Sequence, residues 1–192
     1  MNEKEFIKNI KKEEKQNKKK NDNVWIIIVT LLSLVISIIF SYISESIMPN
    51  VNIIIGIIVM FFFIILGIMF DILGVSVTVA DTRPYHSMAA KKIKGAKVAV
   101  MLSKNASKVS NIFCDVIGDI CGIVSGSAGV YIAVKLSNIL GINALLSSLF
   151  ITGIISALTI GGKAIGKGYA INNGTMILYG FARFIKIFYK NK

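Results

Sequence analysis

The sequence predicts an all-α polytopic membrane protein: four transmembrane helices plus a basic amphipathic juxtamembrane segment between the second and third. Three observations predict it. Of 192 residues, 54% are hydrophobic and only 17% charged, against about 25% charged in soluble domains, and mean hydropathy is +0.70. The apolar residues gather in four runs, each near the roughly 20 residues that cross a hydrocarbon core. The charge, 22 Lys+Arg against 10 Asp+Glu for a net +12, lies mostly between those runs. On a soluble chain that excess marks a nucleic-acid surface. Between apolar runs it marks membrane orientation, so the expected surroundings are a lipid bilayer, with no nucleic acid.

Residues 1–23 hold eight lysines and five acids and read as a basic cytoplasmic tail or frayed helix. The run 24–48 is too long for a cleavable signal and is followed by no small-x-small site, so it is expected to stay as a first span. Pro49-Asn50 breaks the chain, and a second span covers 51–80 with Asp71 inside it. Asp81-Thr82-Arg83-Pro84 stops one helix and starts another. Over 85–110, Met88, Ile93, Val98 and Met101 recur at helical spacing among Lys91, Lys92, Lys94, Lys97, Lys104 and Lys108. That pattern predicts a surface helix, or a pair broken near Asn105. Third and fourth spans come next at 111–134 and 142–165, and an aromatic, basic interfacial helix is expected at 173–190.

Counting Lys and Arg by side assigns the topology. The N-terminal tail, the 81–110 segment and the chain from Lys163 onward hold eight, seven and six; the two opposite loops hold only Lys135. Both ends are therefore expected in the cytoplasm. The abundance of Ile, Lys and Asn fits a low-GC bacterial genome, which makes the expected location a bacterial plasma membrane. Cys114 and Cys121 are seven residues apart, about 10 Å along a helix, too far for a disulfide. They read as buried thiols, and His86 beside Pro84 as a solvated or capping residue.

Ionisable residues inside spans are costly, about 2.5–3.5 kcal/mol each at a helix centre unless paired or hydrated. Here they are Glu45, Asp71, Asp115, Asp119 and Lys163. Glu45 is near the outer end of its span. Asp115 and Asp119 form an i,i+4 pair with Asn111 one turn earlier, all on one face. Like charges at that spacing call for a nearby cation or a protonated carboxyl, and Asp71 and Lys163 could meet them inside the bundle; alternatively Asn111 and Asp115 lie hydrated at the cytoplasmic rim. Gly118, Gly122 and Gly126 make a GxxxG ridge, and Gly162 with Gly166 another. Such ridges let helices pack closely, within a chain or between two copies. Alternatively, Gly118 and Gly162 expose backbone carbonyls to an ion. No nucleophile–base set, phosphate loop or metal spacing occurs, so an enzyme is not expected.

The order of parts from Phe70 through the basic segment to Gly118, Gly162, Lys163 and Lys167 resembles the transmembrane domain of the CorB/CorC/CNNM magnesium and cobalt transporter family, over about 51–186. The resemblance implies a dimer and an intramembrane Mg²⁺ held by oxygens of three motifs, Ser-x-Ser-Glu, Gly-Asn-Asn and Gly-Glu-x-x-Pro-Lys. Carried over, the first falls on Asp71, Leu73 and Gly74, and the second on Gly118-Asp119-Ile120 with one residue of slip. The third falls on Gly162-Lys163 with Gly166-Lys167 beyond, and Asn173 also fits. Span 24–48 is additional, and the family's cytosolic CBS domains are not expected here. A lysine replaces the third motif's glutamate, and an ammonium cannot ligate a metal.

Two expectations result. In one, the protein moves or senses Mg²⁺ or another divalent cation, with Asp71 and Asp119 as its ligands: three aspartates and one lysine sum to −2, a charge that one divalent cation balances. In the other it is a non-transporting scaffold or regulatory protein in which Lys163 replaces the cation.

Overall fold

The computed structural model describes the backbone of residues 3–188 and the side chains of 24–187, and all regular structure among them is helical. Helix α1 runs Glu3–Ile47 without a break. No Pro or Gly interrupts that stretch, and its lysines and glutamates are strong helix formers, so the basic segment and first span form one helix. A 3₁₀ turn at Met48–Asn50, with Pro49 in its first turn, ends it. Helix α2 is Ile53–Val79. Asp81 Oδ1 accepts the Arg83 N–H at 3.0 Å, which starts α3, Arg83–Ala90, with Pro84 in its first turn. Helices α4, Ala96–Lys104, and α5, Ala106–Asn111, meet at the expected break, Asn105. A π-helical turn, Ile112–Ile117, leads into α6, Gly118–Leu140, which Gly141 closes in the left-handed conformation at φ +65°. Helix α7 is Ala144–Phe188.

The last helix corrects the sequence reading. A span at 142–165 and a separate interfacial helix at 173–190 are one continuous rod over the described residues. The stretch between them has no proline, and its small residues Gly166, Ala170 and Gly174 are buried against neighbours. Packing keeps the helix going where composition changes.

Four helices are long and apolar enough to cross a membrane, so the chain is an all-α polytopic membrane protein. It divides into two units, through Ile39 and from Phe40 onward. In the first, Ile26, Ile27, Leu31, Leu34, Val35 and Ile38 are all exposed. A helix apolar all round suits lipid on every side.

In the second unit α2, α6 and α7 form a three-helix bundle. Glycines set its register. A Cβ at Gly67 would lie 3.1 Å from Cys121 Cβ, and one at Gly166 2.7 Å from Ile72 Cγ1. Gly162 meets Ile68, and Gly174 meets Val79, so α7 runs parallel to α2 while α6 runs antiparallel. One cluster, with Met60, Ile64, Ala128, Ile132 and Ile155, fills the end carrying the Asn50 and Gly141 turns. Another, Val77, Tyr85, Ala99, Leu178 and Ala182, ties α3 and α4 to α7 at the opposite, basic end. The expected GxxxG ridge is split: Gly118 turns inward, while Gly122 and Gly126 have nothing within 4 Å of a Cβ position.

Two features of the basic end yield predictions. Gly95, at φ +89°, would place a Cβ 2.9 Å from Arg183 Cα, whereas Gly141 has open space. Gly95→Ala adds overpacking of about 1–3 kcal/mol to left-handed strain of about 1–2 kcal/mol, and Gly141→Ala carries the strain alone. Thermal melts in detergent should rank Gly95→Ala clearly below Gly141→Ala. Tyr85 is 1% exposed, and its hydroxyl donates to the Thr175 carbonyl at 2.7 Å. Burial pushes the phenol above its ordinary 10.0, opposed by the hydrogen-bonding side chain of Thr175 and aided by the Asp81 charge. A raised folded-state value means that this contribution is complete below the unfolded value and is lost as pH rises beyond it. Tyr85→Phe should cost about 1 kcal/mol at neutral pH, and melts above the ordinary value should fall less steeply in the variant than in the native chain.

Candidate functional site

Asp71 is the one charged side chain among the buried residues described, at 3% exposure. It stands on α2 18 residues after Ile53, about 27 Å along the axis. Lys163 on α7 is about 28 Å from Ala144, and Asp119 on α6 about 32 Å from Leu140. Since α2 and α7 start, and α6 ends, at the same end of the bundle, these residues share one layer. It lies close to the far boundary of a hydrocarbon core of about 30 Å. Within α2, α6 and α7 no charge lies between this layer and Lys135, whose ammonium sits 5.3 Å from the Tyr131 ring centre near the other boundary.

Within the layer, Lys167 Nζ is 3.7 Å from Asp71 Oδ2. That is an ion pair but too long for a hydrogen bond, and Oδ2 has no hydrogen-bond partner. The lysine side chain is 51% exposed, so the pair joins a buried anion to a half-hydrated cation. Lys163 Nζ occupies the space beside Gly118, 3.5 Å from where a Cβ would stand. The π-helical turn before α6 packs across from Asp71, with Cys114 Sγ 3.7 Å from the Asp71 carbonyl oxygen. Gly74 makes room for that thiol, since a Cβ there would collide with Cys114 Sγ. A π-turn adds a residue to the helix and re-aims the side chains beyond it. The turn and Gly118 together thus fit the thiol and the Lys163 ammonium around α2.

Asp71, Gly118, Gly162 and Lys163 therefore lie at about one level of the bundle. Asn111 is half-buried a turn or two nearer the basic end, and Gly162 packs on Ile68. Asp115 and Asp119 do not join them: both are exposed on the outer face of their helix. Their repulsion is relieved by hydration at the membrane boundary, with no need of an internal cation. The partner of Asp71 is Lys167, and Lys163 sits beside Gly118 instead. The reason is register. Gly166 packs on Ile72, which brings residue 167 level with Asp71. The i+4 relation of Lys163 to Lys167 was the signal in the sequence for a second lysine on this face.

Among the described residues no three His, Cys, Asp or Glu side chains are grouped to hold a metal. Asp71 is paired with the Lys167 ammonium, whereas a hard divalent cation takes six or more oxygen ligands. No family model, curated protein or solved structure matches this chain.

Breaking the pair by Lys167→Met leaves the Asp71 carboxylate without its counter-charge, whereas removing both partners does not. In a double-mutant cycle of Asp71→Asn and Lys167→Met, followed by detergent melts, the single lysine variant should be the least stable. A coupling of at least about 0.5 kcal/mol is expected, and additive effects would show that the pair is idle.

Proposed function

We propose that this protein is a membrane scaffold or regulatory protein of CorB-like layout, in which its own lysines stand where a transporter of that layout holds Mg²⁺. The observation that carries the reading is the Lys167–Asp71 pair, with Lys163 lodged beside Gly118 in the same layer. A tethered ammonium neutralises the buried carboxylate without any bound ion. Further support comes from Asp115 and Asp119, which face outward and leave the layer one anion. The charge distribution, 21 of 22 basic residues on one side, supports a plasma-membrane topology with both termini cytoplasmic. The open Gly122–Gly126 face leaves room for a second copy, as a homodimer requires.

One observation favours the alternative of divalent-cation movement or sensing. Asp71 Oδ2 lacks a hydrogen bond while Lys167 is half exposed, so withdrawal of that side chain uncovers a lone carboxylate. Calorimetry of the purified protein with Mg²⁺, Mn²⁺ and Co²⁺ separates the two. The scaffold reading expects no saturable heat from the native chain and a metal-dependent signal once Lys163→Glu and Lys167→Gln are introduced together. Saturable binding by the native chain, abolished by Asp71→Asn, would establish the cation reading instead.

A further inference from the structure

Helix α7 does not end at the charged layer. From Lys163 to Ile187 it continues for 24 residues, about 36 Å, while the headgroup zone beyond a hydrocarbon core is only about 5–8 Å deep on each side. The extension cannot fold back onto the bilayer independently. Leu178 and Ala182 are buried with Val77, Tyr85 and Ala99, Gly95 abuts the Arg183 backbone, and the Tyr179 hydroxyl donates to the Lys94 carbonyl at 3.2 Å.

The face beside that contact is largely apolar. On a wheel of about 100° per residue, Ile165, Tyr169 and Ile187 fall within about 20° of Met176. Their exposures are 79%, 60% and 74%, with Met176 at 77%. With the charged layer at the hydrocarbon boundary, Met176 and Ile187 stand about 20 Å and about 36 Å beyond it, and an exposed apolar stripe there marks an interaction surface. Its rim is basic. Arg183 lies on the stripe, and the turn packed beside it carries the exposed Lys91, Lys92, Lys94 and Lys97. Lys92 is held at φ +55°, a conformation uncommon outside glycine. The sequence supplies no carboxylate between Asp81 and Asp115, or anywhere after Asp119.

Charge then selects among occupants. A second copy would bring the same basic face, and like charges across an interface are costly. With the charged layer at the hydrocarbon boundary, Arg183 and the turn packed on it stand about 30 Å beyond it, outside the roughly 8 Å reach of an anionic surface at physiological salt. We propose that the α7 extension, with the Lys91–Lys97 turn, docks an acidic amphipathic helix of another protein, whose apolar side covers Tyr169, Met176 and Ile187. Recognition is helix against helix, by anchors at i, i+7 and i+18 with acids set against the lysines. The inference is independent of the ion-site reading, because it uses none of Asp71, Lys163 or Lys167.

The test uses the full chain in phosphatidylcholine nanodiscs. The probe is a fluorescent helical peptide with leucines on one face and glutamates on the other, compared with its lysine-for-glutamate counterpart by anisotropy. Saturable binding of the acidic peptide is expected, at least about tenfold tighter than the basic one and weakening with salt. It should fall about tenfold or more in Met176→Glu/Ile187→Glu and, separately, in Lys91→Glu/Lys94→Glu, with melting temperatures unchanged in both surface variants. Equal binding by the native chain and the stripe variant, or no binding at all, would overturn the proposal. Two further results would overturn it in favour of another occupant. One is an oligomer that Met176→Glu dissociates, which assigns the face to a second copy. The other is an environment-sensitive dye at Ile187→Cys, in a background lacking the native cysteines, that shifts on adding phosphatidylglycerol with no peptide present.

Discussion

Close approach of α2 to its two partners governs the rest of this molecule. In a bilayer the hydrophobic effect gives helices no reason to associate, so van der Waals contact and small residues must do so. Gly67 and Gly74 on α2, facing Cys121 and Cys114, bring the backbone of α6 and its preceding turn in on one side. Gly162, Gly166 and Gly174 on α7, facing Ile68, Ile72 and Val79, bring α7 in on the other. That approach fixes the register in which α7 parallels α2, and the register decides which lysine reaches Asp71. The ion pair is a consequence of glycine placement as much as of charge.

The same packing explains the difference between the two ends of the bundle. Near the Asn50 and Gly141 turns, large aliphatic side chains fill the core and Tyr131 donates to the Val51 carbonyl at 2.6 Å. At the basic end the core is built of smaller residues around Tyr85, and short helices α3 and α4 brace α7 beyond the charged layer. A membrane protein with one lipid-facing belt and one braced projection has separate places for sitting in the bilayer and for meeting something outside it.

A lysine set against a buried carboxylate makes few physical demands. An ammonium on a four-carbon stem is a point charge that needs no coordination geometry, and a half-exposed one keeps part of its hydration. The arrangement balances the Asp71 charge from within the chain itself. Outward placement of Asp115 and Asp119 obeys the same physics, since carboxylates near the boundary reach water directly.

Much of the architecture was legible in the sequence, for reasons of local physics. Hydrophobic run length set the four spans, Pro49 and Asp81-Thr82-Arg83-Pro84 set two breaks, Asn105 set a third, and the lysine count set the asymmetry between the ends. These signals act within a few residues and need no partner. The continuity of α7 was not legible, because Gly166 and Gly174 look like helix weakeners until α2 covers them. Nor was the exchange of Lys163 for Lys167 at Asp71, or the outward turn of Asp119. Each depends on rotation and register between helices, and a shift of one helical turn, about 5.4 Å, leaves every local pattern unchanged. Sequence alone determined an all-α membrane protein with charged residues in its spans; only the packed bundle decided which charges meet, because glycine contacts between helices set the register.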